Sequence, residues 1–185
     1  MKNINKLGNV LTKILEVLHW VGAGLLLAAT VCVVAAPGWL AHFVGLDTYC
    51  CCGADLNVYG FEVNVPVVGG NVDMKSFMLF AIGGVIILAV MAMVFRNLHR
   101  VFKKAESETP FQKGTVCAMK RIGFLSMAVP VIGLVMSVLI RLILGVDAVE
   151  ISVNTTGIFM GIIILCLTQF FVHGAELEKD VDGLV

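Results

Sequence analysis

Long apolar stretches alternate along the chain with shorter polar ones. Residues 17–36 form the first, uncharged apart from His19, and Pro37-Gly38 closes it as helix breakers do. The second covers 75–95, the third 122–144 with Pro130 near its middle, and the fourth 156–172 with Gly157 and Gly161 four residues apart. Roughly 17 to 25 helical residues cross a bilayer's hydrocarbon, so each stretch predicts a membrane span. Pro130 removes a backbone hydrogen bond and predicts a kink. The glycine spacing of the fourth span permits close helix approach, and with it a homo-oligomer through Gly157 and Gly161.

Between the first two spans the period changes. Over 57–65, Tyr59, Phe61, Val63 and Val65 alternate with Gly60, Glu62 and Asn64, which predicts a strand. The segment after the third span repeats this in miniature, with Val149, Ile151 and Val153 against Glu150, Ser152 and Asn154. A lone strand leaves backbone groups unpaired, so the two are expected to pair with each other. After Phe95, the positions Leu98, Val101, Phe102 and Ala105 keep an apolar helical face among basic neighbours, which extends the second span as an amphipathic helix. In "ESETPFQ", Thr109 suits a helix cap, Pro110 the first position and Gln112 a capping box, so a new helix starts there.

Composition agrees with a membrane chain: of 185 residues 59% are hydrophobic and 14% charged, and mean hydropathy is +0.97, too apolar for a soluble domain. The first apolar stretch outlasts a signal-peptide core and reads as a retained span. Net charge is zero, which gives no reason for direct nucleic acid binding. Where the charges fall is more telling. Lys2, Lys6 and Lys13 precede the first span, and Arg96, Arg100, Lys103, Lys104, Lys113, Lys120 and Arg121 lie between the second and third. The 38–74 loop holds Asp47, Asp55, Glu62 and Asp73 with no Lys or Arg, and the loop after the third span holds Asp147 and Glu150. Positive charge marks the cytoplasmic side, so both termini are expected in the cytoplasm of a cell-membrane protein. Lys75 and Arg141, at outer span ends, are expected to reach the headgroups. The fold class is therefore an all-α membrane protein: one four-span domain over 1–185, a transmembrane four-helix bundle with a small extracytoplasmic two-stranded β cap.

Chemistry is sparse. Cys50, Cys51 and Cys52 stand together in the first outer loop. Adjacent cysteines bridge poorly, so three readings stand: free or acylated thiols, a structural bridge from Cys50 or Cys52 to Cys32 in the first span, or redox and metal chemistry. No zinc-like ligand spacing accompanies them, and no metal or cofactor is expected. His19, Gln169 and His173 near the cytoplasmic span ends read as interfacial anchors, and no chain of carboxylates crosses the spans. Nucleophile elbows, phosphate-binding glycine loops and paired-histidine metal helices are absent, so no enzyme is expected. The best candidate contact surface, for lipid or a cytoplasmic partner, is Arg96, Arg100, Lys103, Lys104, Pro110 and Phe111. The acidic tail, with Glu176, Glu178, Asp180 and Asp182, lies on the same side.

Two stretches carry a family resemblance. "FRNLHRVFKKAESETPFQKGTVCAMKRIG" joins a basic apolar helix through a Pro-Phe pair to a second basic helix, and "LTQFFVHGAELEKDVDGLV" ends in an acidic tail. In combination they resemble the uncharacterised prokaryotic four-span membrane family named domain of unknown function 2975. Members are often encoded beside a small helix-turn-helix regulator, so the resemblance implies a non-enzymatic sensor or regulatory module with a cytoplasmic regulatory partner. It assigns no functional residues, and the cysteine triplet lies outside its pattern. Two alternatives remain: a small oligomeric transporter or channel subunit, and a membrane thiol oxidoreductase. The last would need a C-x-x-C and a second outer cysteine pair, which the chain lacks.

Overall fold

The structure, a computed structural model, describes residues 2–36, 54–68, 71–104, 113–145 and 155–182. Four long helices dominate them: α1 (Lys2–Ala35), α2 (Met74–Lys104), α3 (Lys113–Leu144) and α4 (Thr155–Asp182). Four short strands lie between α1 and α2: β1 (Ala54–Val58), β2 (Phe61–Val65), β3 (Val67–Val68) and β4 (Asn71–Val72). Asn5–Ala35, Met74–Lys104, Gly114–Leu144 and Thr155–Gly174 are each long and apolar enough to cross a membrane. Their outer faces match that length: Leu142 and Phe170 are 78% and 73% exposed, which suits an apolar surrounding and would be costly in water.

Every helix outruns its apolar stretch because the polar ends also pack. α1 starts at Lys2, well before residue 17, and along it Asn9, Thr12, Glu16, His19, Ala23, Leu26, Thr30 and Val33 recur three and four residues apart. That spacing makes one seam on a helix. Near its start the seam is polar: the Asn9 carbonyl lies 3.1 Å from Nδ1 of His99 on α2, and the His19 ring lies 4.9 Å from that of Phe95. Farther on it is apolar, with Val33 fully buried and Leu26 against Gly84. Gly8 faces Phe102 so closely that a methyl group there would come within 2.8 Å of the ring, which places the expected amphipathic extension of α2 against α1. α3 runs through Pro130 without interruption. α4 carries on into the acidic tail, where Glu176 pairs with His173 at 3.2 Å.

The chain divides into two compact units. The first, Met1–His19, Val90–Ala128 and Thr155–Val185, draws on all four helices. Within it α3 and α4 meet at glycine: a methyl group on Gly161 would lie 2.9 Å from the Gly123 carbonyl and would also strike Met127, and one on Gly123 would lie 2.7 Å from Leu165. The close approach foreseen from Gly157 and Gly161 is therefore made, at Gly161, with α3 of the same chain.

The second unit, Trp20–Ala89 and Val129–Asn154, combines segments of α1, α2 and α3 with the strands. Here the expected strand over 57–65 is corrected to a hairpin. β1 pairs antiparallel with β2, from Ala54 opposite Val65 to Val58 opposite Phe61. Tyr59 and Gly60 form the turn, both in the left-handed region at φ 54° and 86°. This is the twist a two-residue hairpin turn requires. Tyr59 accordingly leaves the apolar face: Phe61, Val63 and Val65 are buried, whereas Tyr59 is exposed. The other face carries cross-strand polar pairs, Asn57 to Glu62 at 3.0 Å and Asn64 to Asp55 at 2.7 Å, and the Asn57 side chain accepts the Gly60 amide. The partner found for β2 is thus β1; the 149–154 segment lies outside the described residues. A second small hairpin pairs β3 with β4.

The first hairpin lies along α2. Its base is tied where the Asp73 amide donates to the Pro66 carbonyl at 2.9 Å. Its turn end reaches Gly83 and Gly84, where methyl groups would come within 2.7 Å of Phe61 and 3.9 Å of Val58. Ten residues of helix separate Asp73 from Gly83, about 15 Å at 1.5 Å per residue. A methyl group on Gly133 of α3 would likewise come within 3.7 Å of Phe61. The hairpin is therefore packed alongside the helices in this unit.

Candidate functional site

Two helix ends in the first unit build the most chemically distinctive place among the described residues. Where α2 leaves its apolar stretch, Arg96 and Arg100 are one turn apart, hence on one face. Asn97 sits between them, buried at 8% exposure, with its Nδ2 donating to the Met93 carbonyl at 2.8 Å. α3 returns past this face and presents Arg121, with Phe124 and Leu125 one turn farther along. Together with Met93, these side chains line an open cleft of about 460 Å³.

The cleft is polarised along its length. On each helix the arginines lie toward the end that leads to the α2–α3 connection, and Met93, Phe124 and Leu125 lie toward the helix middle. Met93 and Phe124 are 45% and 57% exposed, so the apolar end is open as well. Among the described residues no carboxylate lines it. Among the described residues, none of the three arginines has an ion pair. Three guanidinium groups with no counter-charge among the described residues of the wall create a local field that favours an anion.

Of the sequence-derived contact residues, Arg96 and Arg100 enter this cleft. Lys103 and Lys104 are exposed on the last turn of α2 outside it, and Lys104 lies against Gly114 at the start of α3. Pro110 and Phe111 lie outside the described residues. Arg121, Asn97 and the apolar wall were missed. Their signal is positional: if the chain doubles back near Pro110, Arg121 falls opposite Arg100. Cys32, Cys117 and Cys166 are free thiols, with Cys32 half-buried on α1. The other end of the expected bridge, Cys50 or Cys52, lies outside the described residues, as do Cys51 and the loop that holds all three. The described residues contain no group of His, Cys, Asp or Glu arranged to hold a metal ion.

Glu16 was also passed over, because it immediately precedes the apolar stretch. It is buried on the polar seam of α1, 7% exposed, and its carboxylate lies 3.0 Å from the largely exposed Lys13 ammonium. No family model, curated protein or solved structure matches the chain.

Proposed function

We propose that the chain is a multi-pass protein of the cell membrane, with both termini cytoplasmic, that acts without chemistry of its own as a sensor or regulatory module. Its contact surface is the arginine-lined end of α2 and α3. One observation carries this reading: the concentration of basic residues in the first unit. Lys6, Lys13, Arg96, Arg100, Lys103, Lys104, Lys120 and Arg121 all belong to the first unit. Asp55, Glu62 and Asp73 belong to the second, whose described basic residues are Lys75 and Arg141 at helix ends. Sidedness of this kind orients membrane proteins and leaves the basic end facing anionic headgroups and cytoplasmic partners. The resemblance to the four-span family supports the regulatory part of the reading.

Co-purification from native membranes tests it. The intact protein is expected to bring down a cytoplasmic partner that is lost when Arg96, Arg100 and Arg121 are replaced by Gln. Recovery of no partner by either form would count against a regulatory module.

The hairpin gives a second reading, a small transporter or channel subunit, one specific point of support. Its polar pairs lie beside the first turns of α2, and non-helical backbone at membrane depth must be enclosed by protein or line a watery cavity. Ion or solute flux in proteoliposomes would favour that reading over the first.

A further inference from the structure

We propose that the cleft formed by Arg96, Arg100 and Arg121 is a binding site for a multiply charged phosphate group. The inference rests on the reading of this end as the contact surface and assigns that surface a ligand.

Charge comes first. Three guanidinium groups with no lining carboxylate and no ion pair among the described residues leave a site that one singly charged anion would only partly neutralise. A phosphomonoester brings up to two negative charges and three oxygens, and each guanidinium fork can take two oxygens side by side. A carboxylate would occupy one fork and leave two unmet. Arg96 and Arg100 come from one helix and Arg121 from another, so the anion would bridge the two helix ends.

Shape points the same way. A volume of about 460 Å³ is that of a small-molecule pocket, commonly about 300–1,000 Å³, and exceeds what a bare phosphate fills. The remaining space is walled by Met93, Phe124 and Leu125, on the side toward the middle of the apolar helices. A ligand with phosphate at one end and an apolar body at the other matches both ends of the cleft. A phospholipid whose headgroup ends in a phosphomonoester has that form; free phosphate or a soluble phosphate ester shares only the charged half.

The test uses the full-length protein in neutral detergent. It is titrated separately with short-chain phosphatidic acid, short-chain phosphatidylcholine and inorganic phosphate, and binding is followed by calorimetry. Phosphatidic acid is expected to bind at least tenfold more tightly than phosphatidylcholine. The variant R96Q/R121Q should lose at least tenfold in that affinity, while K103Q/K104Q, which removes the same charge outside the cleft, should change it less than twofold. Inorganic phosphate binding as tightly as the lipid would support the site with a soluble phosphate as its source; lipid binding without phosphate binding would support a headgroup. Equal binding of the two lipids, or equal losses in the two double variants, would overturn the proposal. Variants that lose helical content are set aside in favour of competition between phosphate and phosphatidic acid on the unaltered protein. Capture of a cytoplasmic partner by protein that binds none of the three probes would leave the contact surface standing and remove the phosphate site.

Discussion

Phe61, the first residue of β2, lies flat against Phe80 of α2, ring centroids 5.7 Å apart and planes within 6°. It also covers the bare backbone of Gly83, which a side chain would block. One residue thus seats a strand on a helix, and it is 1% exposed. Because glycine neighbours cannot fill the gap, Phe61→Ala is expected to cost about 3–5 kcal/mol, and Phe61→Leu clearly less, in unfolding experiments in micelles. A loss below about 1 kcal/mol would mean that the hairpin is not seated there. Asp73 acts at the same junction. Its carboxylate accepts from the Ser76 hydroxyl at 2.6 Å and the Ser76 amide at 2.9 Å, capping α2. Those two bonds, helped by the Lys75 charge, hold its pKa below the ordinary carboxylate value. The folded pKa is the lower one, so this stabilisation is complete above the unfolded value near 3.9 and fades as pH falls through the folded one. Asp73→Ala should cost about 1 kcal/mol at neutral pH. The gap between variant and parent should narrow at pH 3; a gap that stays constant from pH 7 to 3 would rule out the charged cap.

At the scale of elements, the helices were legible and the hairpin was half so. Hydropathy finds a span because burial in lipid needs only apolar length, yet it stops where charge begins, and so it cut α1 at residue 17 and α4 at 172. What holds the remainder is the three-and-four seam on α1, whose polar members Asn9, Thr12 and Glu16 carry no hydropathy signal. In the hairpin, alternation was read straight through 57–65. The missed mark is a change of parity: the apolar positions are even at Leu56 and Val58, then odd at Phe61, Val63 and Val65. Such a switch needs two turn residues at 59 and 60, and Tyr-Gly hides it because Asn-Gly is the usual sign. The cleft was half legible for another reason: charge shows in sequence, but which helix faces bring charges together does not. The α3–α4 contact allows a direct check. Gly161→Leu would drive a side chain into the Gly123 carbonyl and Met127, with an expected loss of about 1–3 kcal/mol. Gly24→Ala, on open surface of α1, should instead gain up to about 1 kcal/mol of helix propensity. Comparable losses at both positions in the same unfolding assay would mean that α3 and α4 do not meet at Gly161.

For the whole molecule the proposed topology turns on which side of the membrane each helix end would occupy, and α2 is the element that tests it. Arg96, Arg100, Lys103 and Lys104 crowd its last turns, while Asp73 caps its first. Moving that many charges across hydrocarbon costs several kcal/mol each, so the topology proposed above has insertion fix the orientation of α2 once and α3 return. Lys75 and Arg141 do not count against that topology, since each sits near a helix end, where a long side chain would reach the headgroups. Cys117 offers a native reporter: it is exposed, on the second turn of α3, and the connection from α2 precedes it. In a variant that keeps Cys117 and replaces the other five cysteines with serine, a membrane-impermeant maleimide should label inside-out vesicles and leave intact cells unlabelled. A companion variant that keeps only Cys50 should show the reverse, because α2 separates the two positions. Labelling of both from the same side would mean that α2 does not cross. Exchange of the two patterns would turn the molecule over and place the arginine cleft outside, where neither a cytoplasmic partner nor an inner-leaflet phosphate could reach it.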